Sequence, residues 1–114
     1  MHIIYYNIYT IHPMIIEHPE DYKLVGFERS HVRGKKYDAI LRNKKTHKGR
    51  QMHDLRRVPF GAVGYEQFKD STGKGLYTRV NHGDPKRRRN YRTRHHGENK
   101  RKFSSGYFSW KYLW

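Results

Sequence analysis

The sequence predicts an α+β domain: a small antiparallel three-stranded sheet followed by a basic helix and a short aromatic C-terminal helix, with an extended N-terminal arm. Three observations predict it. Short apolar runs with Gly-containing breaks occupy Tyr22 to Phe60. A run of cations opened by Asp84-Pro85 follows. Then come five aromatics within eight residues, Tyr107, Phe108, Trp110, Tyr112 and Trp114. At 114 residues and 34% hydrophobic content, the chain has room for one small domain, 21–114. Its core must lean on large aromatic rings.

Residues 1–20 read as an arm. The stretch to Ile16 is apolar and β-branched, and no Lys or Arg occurs before Asp21. It lacks the charged start of a signal peptide, and Pro13 stops it short of the roughly 20 residues a membrane-spanning helix needs. An extended arm that pairs with a sheet edge is the expectation, with Ile3, Ile4, Tyr5 and Tyr6 facing a partner. Tyr22–Phe27 and Lys36–Arg42 are the first two strands, with Gly34 in the turn between them. Tyr37, Ala39 and Leu41 share one face, and Asp38, Ile40 and Arg42 the other. The stretch from Asn43 to Asp54 is a polar, basic loop. Leu55–Phe60 is the third strand, and Pro59, which cannot donate to a ladder, makes it an edge or its end. Tyr65 and Phe68, three apart, predict one helical turn before the Gly73-Lys74-Gly75 break.

Asp84 can accept from exposed backbone donors and Pro85 suits a first helical position, so a helix starts there. Gly97 supplies a left-handed stop. The helix Pro85–His96 would be about 18 Å long. Arg87, Tyr91, Arg94 and His95 fall together on its wheel, with Arg88, Arg92 and His96 beside them. It has no apolar stripe and so cannot be a core helix. Ser104 and Ser105 are adequate caps for the final block. There, alternation (Phe108, Trp110, Tyr112, Trp114) competes with helical spacing (Tyr107, Trp110, Trp114).

Composition narrows the function. A formal net charge of +15 and a pI near 10.2 call for a polyanion. Lys86, Arg87, Arg88, Arg89, Arg92 and Arg94, with Lys44, Lys45, Lys48 and Arg50, are the expected phosphate-facing residues. Four adjacent cations at 86–89 sit at the positive end of the helix dipole, where a phosphate would relieve them. Tyr107, Phe108, Trp110 and Trp114 are divided between core and partner contacts. Stacking of bases would require aromatics exposed on a platform.

Catalytic motifs fail. Around Gly73-Lys74-Gly75 the phosphate-loop spacing is wrong, and no Ser/Thr follows the lysine. His96-Gly97-Glu98 lacks the Cys pair of zinc deaminases. His82, His95 and His96 do not make a metal site, because adjacent helical histidines diverge by about 100°. With no cysteine there is no thiolate site. The expectation is a non-enzymatic protein with no cofactor, metal or small-molecule substrate, and no transmembrane segment.

An ordered set of motifs adds a resemblance. Val58-Pro-Phe-Gly61, Tyr65-Glu-Gln-Phe-Lys-Asp70, the run His82 to His95, and Gly106-Tyr-Phe-Ser-Trp-Lys-Tyr-Leu-Trp114 stand in sequence. From about Lys23 to Trp114 the chain resembles a family of short basic uncharacterised proteins encoded by large double-stranded DNA viruses of algae and protists, of the chlorovirus and mimivirus kind. Phe60-Gly61, Tyr65, His82, Asp84, Tyr91, Arg94-His95, Gly106, Phe108, Ser109, Leu113 and Trp114 carry it. The resemblance implies a viral setting: the virion, and the host cytoplasm or virus factory during assembly. Two readings follow. One is a minor, inner capsid protein that contacts other capsid proteins and the genome. The other is a free viral protein that binds nucleic acid, double-stranded DNA above all, through its phosphate backbone.

Overall fold

The computed structural model describes residues 16–44 and 55–114. Three strands, β1 (Tyr22–Arg29), β2 (Lys35–Asn43) and β3 (Leu55–Ala62), form an antiparallel sheet in the order β1-β2-β3. Two helices follow, α1 (Pro85–Arg94) and α2 (Ser105–Tyr112). The α+β class and the order of its elements are as expected. Pro59 lies in β3 opposite Asp38, on an edge strand where its missing donor costs no ladder bond.

β2 is the central strand, and its alternation sorts two environments. Tyr37, Ala39 and Leu41, each fully buried, pack with Phe27, Val58 and Phe60 beneath α2. Phe108 of α2 meets Phe60 at 5.5 Å between ring centres and Phe27 at 6.3 Å, edge-on. Phe103 stacks on Phe108 from the connection between the helices (5.7 Å, 4°), although its own φ is +66°. That conformation is costly for a bulky residue, so burial of the ring must outweigh it. On the other face, buried Asp38 accepts from Ser30 Oγ (2.6 Å), Arg57 Nη1 (3.2 Å) and the His31 amide (3.2 Å), and pairs with the His31 ring. A buried carboxylate is tolerable only with such partners.

The arm and the long loop fall mostly outside the described residues, including Ile3, Ile4, Tyr5, Tyr6, Lys45, Lys48 and Arg50. Where the description begins, Ile16 is buried in the core, and Pro19–Asp21 forms a 3-10 turn ahead of β1. The last residues assigned to the arm are therefore part of the domain.

One element differs from expectation. Tyr65 and Phe68 do not form a helical turn. Gln67 pairs in parallel with Asn81, its amide donating to the Val80 carbonyl (3.1 Å) and its carbonyl accepting from His82 (2.9 Å). The reason lies in side chains. Gln67 is fully buried, and its amide donates to Asn81 Oδ1 (2.8 Å) and to the Tyr77 carbonyl (2.9 Å). Lys36, also buried, donates to Gln67 Oε1 and to the Tyr65 carbonyl, each at 2.7 Å. These buried bonds must all be satisfied, and they outweigh an i, i+3 pattern. Burial pushes the Lys36 ammonium below its ordinary value. Asp70 anchors the rest of the loop, accepting from Tyr37 (2.5 Å) and Thr72 (2.6 Å). Burial opposes its charge, but the hydrogen bonds from Thr72 and Tyr37 win and hold it below the usual carboxylate range. The helical turn in this region is a 3-10 turn at Thr78–Val80.

Candidate nucleic-acid interface

α1 begins as its sequence dictates. Asp84 accepts from the amides of Lys86 (2.9 Å) and Arg87 (3.4 Å), and Pro85 fills the first position. His95 caps the other end, two residues before Gly97 at φ +92°. The helix ends slightly earlier than its sequence suggested. It has no buried residue. What holds it is a column of rings.

Tyr91, the one aromatic residue of α1, lies between two others. Trp114 stacks flat on it (4.3 Å, 2°), and His95 covers its other side (4.1 Å, 22°). Trp114 then meets His82 (5.2 Å), and His82 meets Phe68 (6.2 Å). Two arginines extend the column as cations over rings, Arg88 on Phe68 (4.8 Å) and Arg92 on Trp110 (5.0 Å). Arg92 also donates to the Trp114 carbonyl (3.1 Å). Burial, helped by the Glu98 charge, pushes the Tyr91 phenol up to about 12, so it stays neutral. At the far end His95 pairs with Glu98, whose carboxylate rests against Gly106 so closely that a Cβ there would overlap it.

The cations of α1 therefore divide. Arg88 and Arg92 lie on rings, and Arg87 pairs with Glu66 (2.8 Å). The side chains of Lys86, Arg89 and Arg94 are exposed and make no hydrogen bond or ion pair with a described residue. Pro85, Arg88, Arg89, Arg92, Thr93 and His96 line a shallow groove of about 560 Å³ along one side of the helix. Burial, and then the neighbouring Arg88, depress Arg92 below its ordinary value. An anion in the groove would relieve that like-charge pressure.

Of the other expected residues, Lys44 is exposed just past β2 and far along the chain from α1. The aromatics expected at a partner interface are used within the fold. Phe108 is a fully buried core ring and is unavailable to a partner. Trp114 stacks on Tyr91, and Trp110 lies under Arg92, each half-buried. Tyr107 packs edge-on against Phe103 and Phe108. The physical reason is that α1 brings no apolar face of its own, so the final helix must lend rings to both the sheet and α1. Tyr91 was visible on the wheel beside Arg87 and Arg94. Its partner Trp114 was not, because only the tertiary fold brings 91 next to 114.

A second, deeper cleft of about 620 Å³ opens on the other side of α1, between the β2–β3 end of the sheet and α2. Among the described residues, no group of three or more His, Cys, Asp or Glu could hold a metal ion. Among the same residues, no helix is long and apolar enough to cross a membrane. Fold and surface thus define a class: a small, strongly basic α+β protein with a cationic helix docked by aromatic stacking. No protein-family model matches the chain, and neither a curated protein nor a solved structure matches it.

Proposed function

We propose that this chain is a small basic structural protein of a large DNA-virus particle, an inner capsid component that holds nucleic acid by its phosphate backbone. The observation that carries the polyanion role is α1. A ten-residue helix with six Lys/Arg, docked by rings, keeps Lys86, Arg89 and Arg94 without a hydrogen-bond or ion-pair partner among the described residues. Contacts of this kind position a protein on nucleic acid without reading sequence. The viral setting and the place in the particle, or in the factory during assembly, rest on the sequence resemblance. Exposed Val25, Val63 and Leu76 offer small apolar contacts to neighbouring capsid proteins. The role is binding, without catalysis.

A second reading, a free nucleic-acid-binding protein, is favoured by one observation: the aromatic block expected to anchor in other chains is spent within the fold. Mass spectrometry of nuclease-treated particles, with copy number, separates the two. Stoichiometric recovery supports the capsid component, and absence from particles supports the free binder. Affinity for duplex DNA that does not fall with added salt would overturn both.

A further inference from the structure

The cleft on the inner side of α1 carries a more specific assignment. Lys35, Tyr65, Arg87, Arg94, His95 and Glu98 are among the residues that line it. Tyr65 is 70% exposed. Among the described residues, every other Phe, Tyr and Trp side chain packs on a ring, a cation or the core. Tyr65 has no ring contact and no side-chain hydrogen bond with a described residue. Its backbone, in contrast, is fixed: the Tyr65 carbonyl accepts from buried Lys36, and the next residue but one, Gln67, is locked to Asn81. The ring is thus a free platform on a rigid base, which is the feature missing from the C-terminal aromatics.

The charges around it have a definite balance. Glu66 is engaged by Arg87, and Glu98 by His95. Lys35 and Arg94 keep their charge uncompensated by a hydrogen bond or ion pair with a described residue. The cleft therefore combines an open aromatic face, two free cations, and a His–Glu pair able to meet polar ring edges. Its volume is within the range of small-ligand sites. A bare phosphate would use the cations and leave the ring idle. A duplex would keep its bases stacked inside. An unpaired nucleotide uses everything: the base stacks on Tyr65, and its phosphate meets Lys35 and Arg94.

We infer that this cleft takes one unpaired nucleotide of a nucleic acid, at a strand end, gap or flap, while the outer side of α1 follows the phosphate backbone. This rests on the nucleic-acid reading above and names the form of nucleic acid recognised.

The test compares three ligands with the same number of phosphates on the full-length protein: a blunt DNA duplex, a correspondingly shorter duplex with a short single-stranded overhang, and that second ligand with abasic sites in the overhang. Wild type should bind the overhang about tenfold more tightly than the other two, as one stacked base allows. Tyr65→Ala should abolish that preference and leave blunt-duplex affinity unchanged, and Tyr65→Phe should retain it. The exposure of Tyr65 lets either variant fold, which a thermal melt verifies. Equal affinity for all three ligands, unaffected by Tyr65→Ala, overturns the inference while the backbone-binding function stands. Failure to bind any of the three overturns the function itself. Tight binding of a free nucleoside monophosphate, as strong as that of the overhang, overturns the assignment to nucleic acid and makes the cleft a nucleotide site.

Discussion

The sheet with α2 and the α1 region are held together by different physics. Under α2, the core is ordinary: Phe27, Phe60 and Phe108 fill a space from which water is excluded, and on the opposite face of the sheet the buried Asp38 is held by Ser30, His31 and Arg57. α1 buries nothing completely, and it is tied to the rest of the protein by flat ring stacking and cation–ring contacts, with the Arg87–Glu66 pair and the Arg92 bond to the Trp114 carbonyl beside them. The lesson is that a helix can be docked without an apolar stripe. One tyrosine between two rings, and arginines laid on others, suffice to leave the remaining face entirely for charge.

The comparison breaks first in the core. Phe108→Ala should cost about 3–5 kcal/mol and unfold the domain as a whole, read as loss of cooperative thermal melting. Next comes Gly61, at φ +78° with Leu113 Cδ1 only 2.8 Å from where a Cβ would sit. Gly61→Ala adds strain and overlap in one step and should cost roughly 2–3 kcal/mol. Tyr91→Ala tests the other region. It should cost roughly 1–3 kcal/mol, the sum of two stacked pairs and their burial. The loss should be local: amides of 85–94 should exchange fast while those of β2 stay protected. Protection lost equally in both regions would show that α1 and the sheet are one cooperative unit.

The cations sharpen the comparison further. Replacing Lys86, Arg89 and Arg94 together by Ala should leave the melting temperature nearly unchanged and flatten the salt dependence of DNA binding by up to about three units of log–log slope. Arg88→Ala with Arg92→Ala should instead lower stability as well as binding, because those side chains also lie on Phe68 and Trp110. The smallest effect is on pH. Burial, then Arg87, holds His82 below its ordinary value of 6.5, and its Nδ1 accepts from the Asp84 amide (2.9 Å). The folded state therefore prefers the neutral ring. Its contribution is complete above pH 6.5 and is lost as pH falls through the lower, folded-state value. Melting temperature should drop on acidification from pH 7.5 to 5.5, and His82→Phe should make the drop smaller.

How much of this was legible in the sequence differs between the two regions in the same way. The strands were readable because alternation and turn glycines are local signals: Lys36–Arg42 lies within β2, and Leu55–Phe60 within β3. The start of α1 was readable for the same reason, since Asp84-Pro85 acts within one turn. Gln67 defeated a local rule because its fixed position depends on Lys36, Asn81 and Tyr77, distant in sequence. The burial of Lys36 and Asp38 was likewise hidden, because a central strand buries both faces whatever its alternation. In the candidate site, the cations were visible as a run, but their division into free and ring-bound members was not. That division depends on Phe68, Trp110 and Trp114, which meet α1 only in the folded chain.

The column of rings gives the molecule a built-in optical probe. The sequence has two tryptophans. Trp114 lies flat on Tyr91, and Trp110 beneath Arg92, so each touches α1. Their emission therefore follows the seating of the basic helix, while the aromatics of the sheet itself, Phe27, Tyr37 and Phe60, are not tryptophans. Titration of the unlabelled protein with nucleic acid, observed at tryptophan wavelengths, should report directly on the helix that meets it.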